Sequence, residues 1–121
     1  MQDEIIQMPT NFELVKAGTH FSKVLKKLRK TKGSRAFRKG WNGKGIFVYY
    51  MPGYPDGVAC NEATATALWI ELGDKVKVHP YLGIRTAQNT VGPWRPTQPD
   101  LFSKDWVIIK PEAHPYDEVM A

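Results

Sequence analysis

Apolar side chains recur along this chain with two different periods. Phe21, Val24, Leu25 and Leu28 follow at i, i+3, i+4 and i+7, the spacing that gathers side chains on one helix face, while Lys23, Lys26, Lys27 and Lys30 fill the outer face. The spacing predicts one short amphipathic helix, with Thr19 as its N-cap and Gly33, after Thr31 and Lys32, as the residue that ends it. Then the texture changes. Residues 34–38 alternate, and residues 46–51 form a β-branched and aromatic run bounded by glycine and proline, so both read as strands. Residues 39–45 hold three glycines around Trp41 and Asn42, a connection able to take positive φ and bring backbone amides close to a bound group, and a hairpin is the natural geometry.

Beyond that hairpin, residues 51–57 read as a loop through two prolines and two glycines, and residues 61–68 have the cap and small side chains of a short second helix. Residues 76–78, 81–86 and 106–109 are further strands, separated by a turn at Gln88, Asn89 and Thr90 and by a loop over residues 93–100. Residues 12–17 fit a helical turn or a strand equally well. Trp69 and Trp106, each embedded in an apolar stretch, are assigned to the core. Short strands joined by hairpin turns, with few helices, imply an α+β fold: a small single domain with a twisted antiparallel sheet, the N-terminal amphipathic helix packed on it and the second short helix beside it. The domain is expected over residues 19–110, between an N-terminal extension of residues 1–18 and a C-terminal tail of residues 111–121.

Composition narrows the class. A chain of 121 residues with 42% apolar residues builds one core, and its longest apolar run, residues 46–51, is far short of the roughly 20 residues that span a bilayer. The start Met1-Gln2-Asp3-Glu4 is acidic, so secretion is not expected, and the single Cys60 suits a reducing cytosol and a small half-buried position. The net charge of +5 is uneven: residues 22–44 carry ten Lys or Arg and no carboxylate. A helix face solvated by lysines and a face that binds phosphates both fit this block.

Catalytic signatures are missing. His20, His79 and His114 share no metal-type spacing with each other, with Cys60 or with a carboxylate, so no metal and no cofactor are expected. Nucleophile elbows, phosphate loops and dinucleotide fingerprints are absent. Asp100 and Asp105 could form an acid–base pair, but Asp105, directly before Trp106, more simply accepts hydrogen bonds at a strand entry. Binding is the stronger class. Trp41 lies among Gly40, Asn42, Gly43 and Gly45, and Trp94 among Pro93, Pro96, Thr97, Gln98 and Asp100, loops that suit ring binding better than an ordinary turn. Indole rings stack on nucleobases at roughly 1–3 kcal/mol each, glycine-borne amides and Lys or Arg receive phosphates, and Asn42, Thr97, Gln98 and Asp100 offer partners for base edges and ribose hydroxyls.

These residues carry a resemblance. The order Phe21-x-x-Val24-Leu25-x-x-Leu28, Arg38-Lys39-Gly40-Trp41-Asn42-Gly43-Lys44-Gly45, Pro80-Tyr81-Leu82, Thr86-Ala87, Pro93-Trp94-x-Pro96-Thr97-Gln98-x-Asp100-Leu101 and Asp105-Trp106 is similar to the second Thoeris anti-defence family of small phage-encoded proteins. It covers residues 21–109, and it departs from the family in having Thr97 where serine is common, a proline at position 99 and some twenty residues before the usual start. The resemblance implies a non-catalytic sponge in the cytoplasm of the infected bacterial host, which sequesters the cyclic ADP-ribose isomers made by TIR-domain enzymes as alarm signals. Some family members also capture cyclic oligonucleotide signals of the CBASS system, and members assemble as homotetramers with pockets between protomers. Carried over, Trp41 would stack on a base, Asn42 and Gly43 would contact ribose or phosphate, and Trp94, Thr97, Gln98 and Asp100 would form an opposing wall. Asn89 is added from the preceding turn, and Arg38 and Lys44 are candidate phosphate partners. The partner is then a small cyclic nucleotide, with no membrane and no polynucleotide expected. Two alternatives use the same residues: a single-stranded nucleic-acid-binding module, and a small nucleotide hydrolase working through Asp100 and Asp105.

Overall fold

A computed structural model describes residues 12–112. The fold is α+β, with an antiparallel six-stranded sheet, a separate two-stranded sheet and three helices among the described residues. In chain order the first elements are β1 (Phe12–Thr19), α1 (Phe21–Lys30), β2 (Arg35–Arg38), a 3-10 turn (Lys39–Lys44) and β3 (Phe47–Met51). There follow β4 (Tyr54–Ala59), α2 (Glu62–Leu68), β5 (Lys75–Val78), β6 (Tyr81–Arg85), β7 (Val91–Pro93), α3 (Gln98–Phe102) and β8 (Trp106–Pro111). The chain divides into two compact units, one from residues 12–50 and 82–112 and the other from residues 51–81.

In the larger unit the sheet order is β1-β8-β2-β3-β6-β7. β8 pairs with both β1 and β2, so the last strand of the chain lies between the first two. Alternation along β2 and β8 puts Ala36, Trp106 and Ile108 on the face that meets α1, where they pack with Val48, Phe21, Val24 and Leu28. Val24, Ala36, Val48 and Trp106 are completely buried. Phe21, Val24 and Leu28 are the buried face of the helix that the heptad-like spacing predicts, with the lysines outside.

Local details differ from the sequence reading at identifiable places. The residue before α1 is His20, whose side chain makes no capping bond; Thr19 instead ends β1, paired with Trp106 and buried. Ladder pairing of β1 with β8 has taken the residue that a free N-cap would need. The helix gives way at Thr31, whose amide bonds to the Lys27 carbonyl, and the chain then turns through Gly33 at φ 83°, with the Pro111 ring 3.1 Å from where a Cβ would stand. Residues 12–17, open between helix and strand, belong to β1, so the sheet reaches back into the segment counted as an extension. The remainder of that extension, and the tail beyond residue 112, lie outside the described residues.

The smaller unit is β4, α2 and β5, with β4 and β5 antiparallel. Residues 54–57 are strand and not loop: the prolines mark an edge, and the register shifts between Tyr54 and Val58 leave Pro55 outside the ladder. Asn61 caps α2 by accepting from the Thr64 amide at 2.9 Å, while Cys60 is buried with its Sγ 3.5 Å from the Glu71 carbonyl. Trp69 corrects the core assignment, since it is 94% exposed. It caps α2 in the left-handed region at φ 60°, which swings its side chain off the helix face that buries Ala65. Truncating α1's buried face should be costly: Leu28→Ala is expected to lose about 2–5 kcal/mol of stability and Lys26→Ala no more than about 0.5 kcal/mol, read as urea midpoints at one protein concentration.

Candidate ligand-binding site

Both tryptophan loops converge on Trp106. Its ring is fully buried, with Trp41 at 5.2 Å, Trp94 at 6.1 Å and Phe21 at 5.3 Å between centroids, the indoles meeting it edge to face. Trp41 comes from the 3-10 turn closing the β2–β3 hairpin, and Trp94 follows β7, its amide bonded to the Leu82 carbonyl at 2.8 Å. Both rings are only partly buried, so each packs one edge on the core and leaves part of its surface in solvent. They also touch one another, centroids 6.2 Å apart and planes at 82°. A base cannot slide between them within one chain, because two rings in edge-to-face contact leave no parallel gap. Within a single chain the two indoles therefore do not form facing walls, and the ring surface open to solvent is on their outer faces.

Polar residues of the second loop are engaged in fixing it. Thr97 and Asp100 form a capping box at the start of α3: the Thr97 hydroxyl accepts from the Asp100 amide at 3.3 Å, and the Asp100 carboxylate accepts from the Thr97 amide at 2.9 Å. The Asp100 carbonyl accepts from the Trp106 indole at 2.8 Å. Its second carboxylate oxygen accepts from Arg38 Nη1 at 3.1 Å, and Arg38 Nε donates to Asp105 at 3.0 Å. The Asp105 hydrogen bond, opposed by burial and reinforced by Asp100, raises the Arg38 pKa above its usual value, so this guanidinium stays charged. Arg38 and Asp100 thus neutralise each other at the base of both loops. Asp105 accepts from Arg38, as its place before a strand led one to expect, and its carbonyl also accepts from the Lys39 amide at the start of the Trp41 turn.

The remaining sequence-chosen residues lie around this frame. Gln98 is exposed on the first turn of α3, and Lys44 is exposed at the end of the 3-10 turn in which Asn42 and Gly43 also lie. Asn89 is held at φ 64° in the turn between β6 and β7, and accepts from Arg85 Nε at 3.1 Å. Arg85, overlooked in the sequence, donates again from Nη1 to the Gly45 carbonyl at 2.7 Å and so ties the Asn89 turn to the end of the Trp41 loop.

Comparison with known proteins decides the lineage. A model of the Thoeris anti-defense 2-like domain matches residues 19–109. The chain belongs to that family. A similar curated protein is "Thoeris anti-defense 2" of Bacillus phage SP01, 28% identical over 99 residues that cover 78% of this chain and 99% of the phage protein. Every site residue named above falls within the part of the chain that the anti-defense 2-like model matches, and family membership carries the coarse assignment of an anti-defence role. Among the described residues of this anti-defense 2-like domain, no group of His, Cys, Asp and Glu is placed to hold a metal ion, and no helix is long and apolar enough to cross a membrane.

Three prolines give residues 93–100 the pattern of a loop, yet Thr97-x-x-Asp100 is a capping-box signature and Pro99 sits in the first turn of α3, where proline is accepted. Replacing Thr97 by Ala should cost about 1 kcal/mol through the lost cap. Asp100→Ala should cost more, because it also removes one of the two carboxylates that hold the part-buried Arg38, and a thermal melt ranking Thr97→Ala below Asp100→Ala in stability would contradict this frame.

Proposed function

We propose that this chain is a non-catalytic sponge that binds cyclic ADP-ribose isomers made by TIR-domain enzymes, keeping the signal from its effector in the infected host cytoplasm. The observation that carries the reading is the pair Trp41 and Trp94: two partly exposed indoles braced against a buried third, inside the region matched by the anti-defense 2-like model. A pre-braced ring loses little entropy on binding, so the roughly 1–3 kcal/mol of each stacking contact is retained as affinity. Ligand held this way is removed by mass action and no bond changes. Arg38 and Asp100 act in this reading by positioning the two loops, and Asn42, Gly43, Gln98, Asn89 and Lys44 supply the polar surround. Cyclic oligonucleotides of the CBASS type are a second ligand class for the same protein.

A homotetramer with pockets shared between protomers fits two features. Trp41 and Trp94 each offer an outer face that another protomer could close, and Leu68, Trp69 and Leu72 expose 56%, 94% and 69% of their surface within five residues. Such an apolar set is characteristic of surfaces that meet a partner. Trp69→Ser is expected to shift the mass measured by light scattering to smaller species; an unchanged tetramer would remove this patch from the interface.

Weighing against a hydrolase, Asp100 and Asp105 both serve Arg38 as hydrogen-bond acceptors in the frame that holds the two loops. Incubating the protein with a cyclic ADP-ribose isomer and releasing it by heat should return intact ligand, whereas altered ligand would mean an enzyme. Trp41→Phe, which keeps a ring against Trp106, should weaken binding less than Trp41→Ala, and equal affinity of Trp41→Ala and the parent in calorimetry would sink the stacking role. Affinity should change little with salt, since a polynucleotide module would instead weaken steeply in proportion to the phosphates contacted.

A further inference from the structure

The face of the large sheet opposite α1 brings two arginines toward one another. Ala36 pairs with Val48 across β2 and β3 on the core side, so Arg35, Phe47 and Tyr49, one step away, point to the other side. β6 lies next to β3, and a Cβ at Gly83 would stand 2.7 Å from the Tyr49 ring, which places that ring over Gly83 and puts Arg85, two residues on, on the same face. Arg35 and Arg85 therefore flank β3 on one surface.

Among the described residues each guanidinium keeps donors that no hydrogen bond engages. Arg35 lies between the rings of Phe12 and Phe47, its Cζ 4.2 Å from each centroid. Rings above and below cover the faces of a guanidinium and leave its in-plane N–H edges open. Arg85 is fixed through Nε to Asn89 and Nη1 to the Gly45 carbonyl, and Nη2 makes no bond to a described residue. Among the described residues no carboxylate lies within ion-pair distance of either arginine. Burial, and after it the nearby charge of Arg85, lower the Arg35 pKa from its usual value. Arg38, by contrast, has two carboxylates.

We propose that Arg35 and Arg85 form an anion seat for a ligand carrying phosphate groups, on the sheet face opposite α1. The diphosphate of a nucleotide matches it: two separate guanidinium edges meet two linked phosphates, and the bound charge removes the repulsion between the arginines. The seat lies on the other face of the sheet from Trp106, against which Trp41 and Trp94 pack, so it is a second ligand contact of the protomer; it rests on the proposed function for the identity of its ligand, while its anion chemistry is testable alone.

The test titrates inorganic pyrophosphate and a cyclic ADP-ribose isomer separately into the parent, Arg35→Gln, Arg85→Gln and Lys30→Gln, the last removing the same charge from α1. The expected result is that pyrophosphate binds the parent and Lys30→Gln alike, and that each arginine variant binds it roughly ten- to a hundredfold more weakly. Should Arg35→Gln fail to fold without its aromatic stack, Arg85→Gln, and Arg85→Lys with charge kept but the planar fork lost, decide the matter. Absence of pyrophosphate binding by the parent, or equal weakening in Lys30→Gln, overturns the seat. Pyrophosphate binding at the arginines without binding of the cyclic ADP-ribose isomer supports the seat and overturns the sponge reading. A cyclic ADP-ribose isomer bound equally by parent and arginine variants, with pyrophosphate binding unchanged among them as well, supports the sponge reading and overturns the seat.

Discussion

The guanidinium of Arg38 is the tie on which the rest of the candidate site depends. At the end of β2 it donates to Asp105 before β8 and to Asp100 in the first turn of α3, two contacts across 67 and 62 residues of chain. Three segments that approach from different parts of the sequence are thereby fixed at one point, and the Trp41 turn starts at the next residue. Arginine suits this position because its planar fork reaches two carboxylates at once, which a lysine ammonium cannot do with the same geometry. The pairing is part-buried, so its value lies in geometry as much as in energy: an isolated ion pair at such a site gains little, but here the same Asp100 also caps α3 and receives the indole of Trp106 on its carbonyl.

Trp106 translates that polar tie into a rigid apolar one. Buried completely on β8, it is touched by Trp41, Trp94 and Phe21, so both loops and the helix α1 bear on one ring. Surface tryptophans that are free to rotate lose entropy when a ligand orders them; these are already ordered by contact with the core. The family to which the chain belongs is described by its anti-defence role, and the two loops in question lie wholly within the part of the chain that its model matches.

Around Trp41 and Trp94 several polar side chains meet partners within the chain. Thr97 and Asp100 look like ligand partners in a loop rich in proline, yet a helix begins there, and its unpaired amides take both side chains. Arg38 looks like a phosphate partner in a basic run, yet two carboxylates reach it first. Arg35 and Arg85, in the same basic chain, meet rings, an amide and a carbonyl in place of a carboxylate. Arg35 and Arg38 share β2, and the sheet face each side chain takes separates them: Arg38 stands beside Trp106, whereas Arg35 and Arg85 lie on the other face.

Local pattern alone was enough for α1, for the Asn61-capped α2, for the β2–β3 hairpin and for the α+β class, because helix periodicity, capping and strand propensity act over a few residues. The motif order that marks the family was likewise present in the chain itself. Tertiary structure alone decided that Thr19 closes a strand and that Trp41 and Trp94 meet edge to face. Each of these turns on which residue arrives from 40 or more positions away, as Arg85 does at Gly45 across 40 residues, and a contact of that range leaves no periodicity in the sequence for a reader to find.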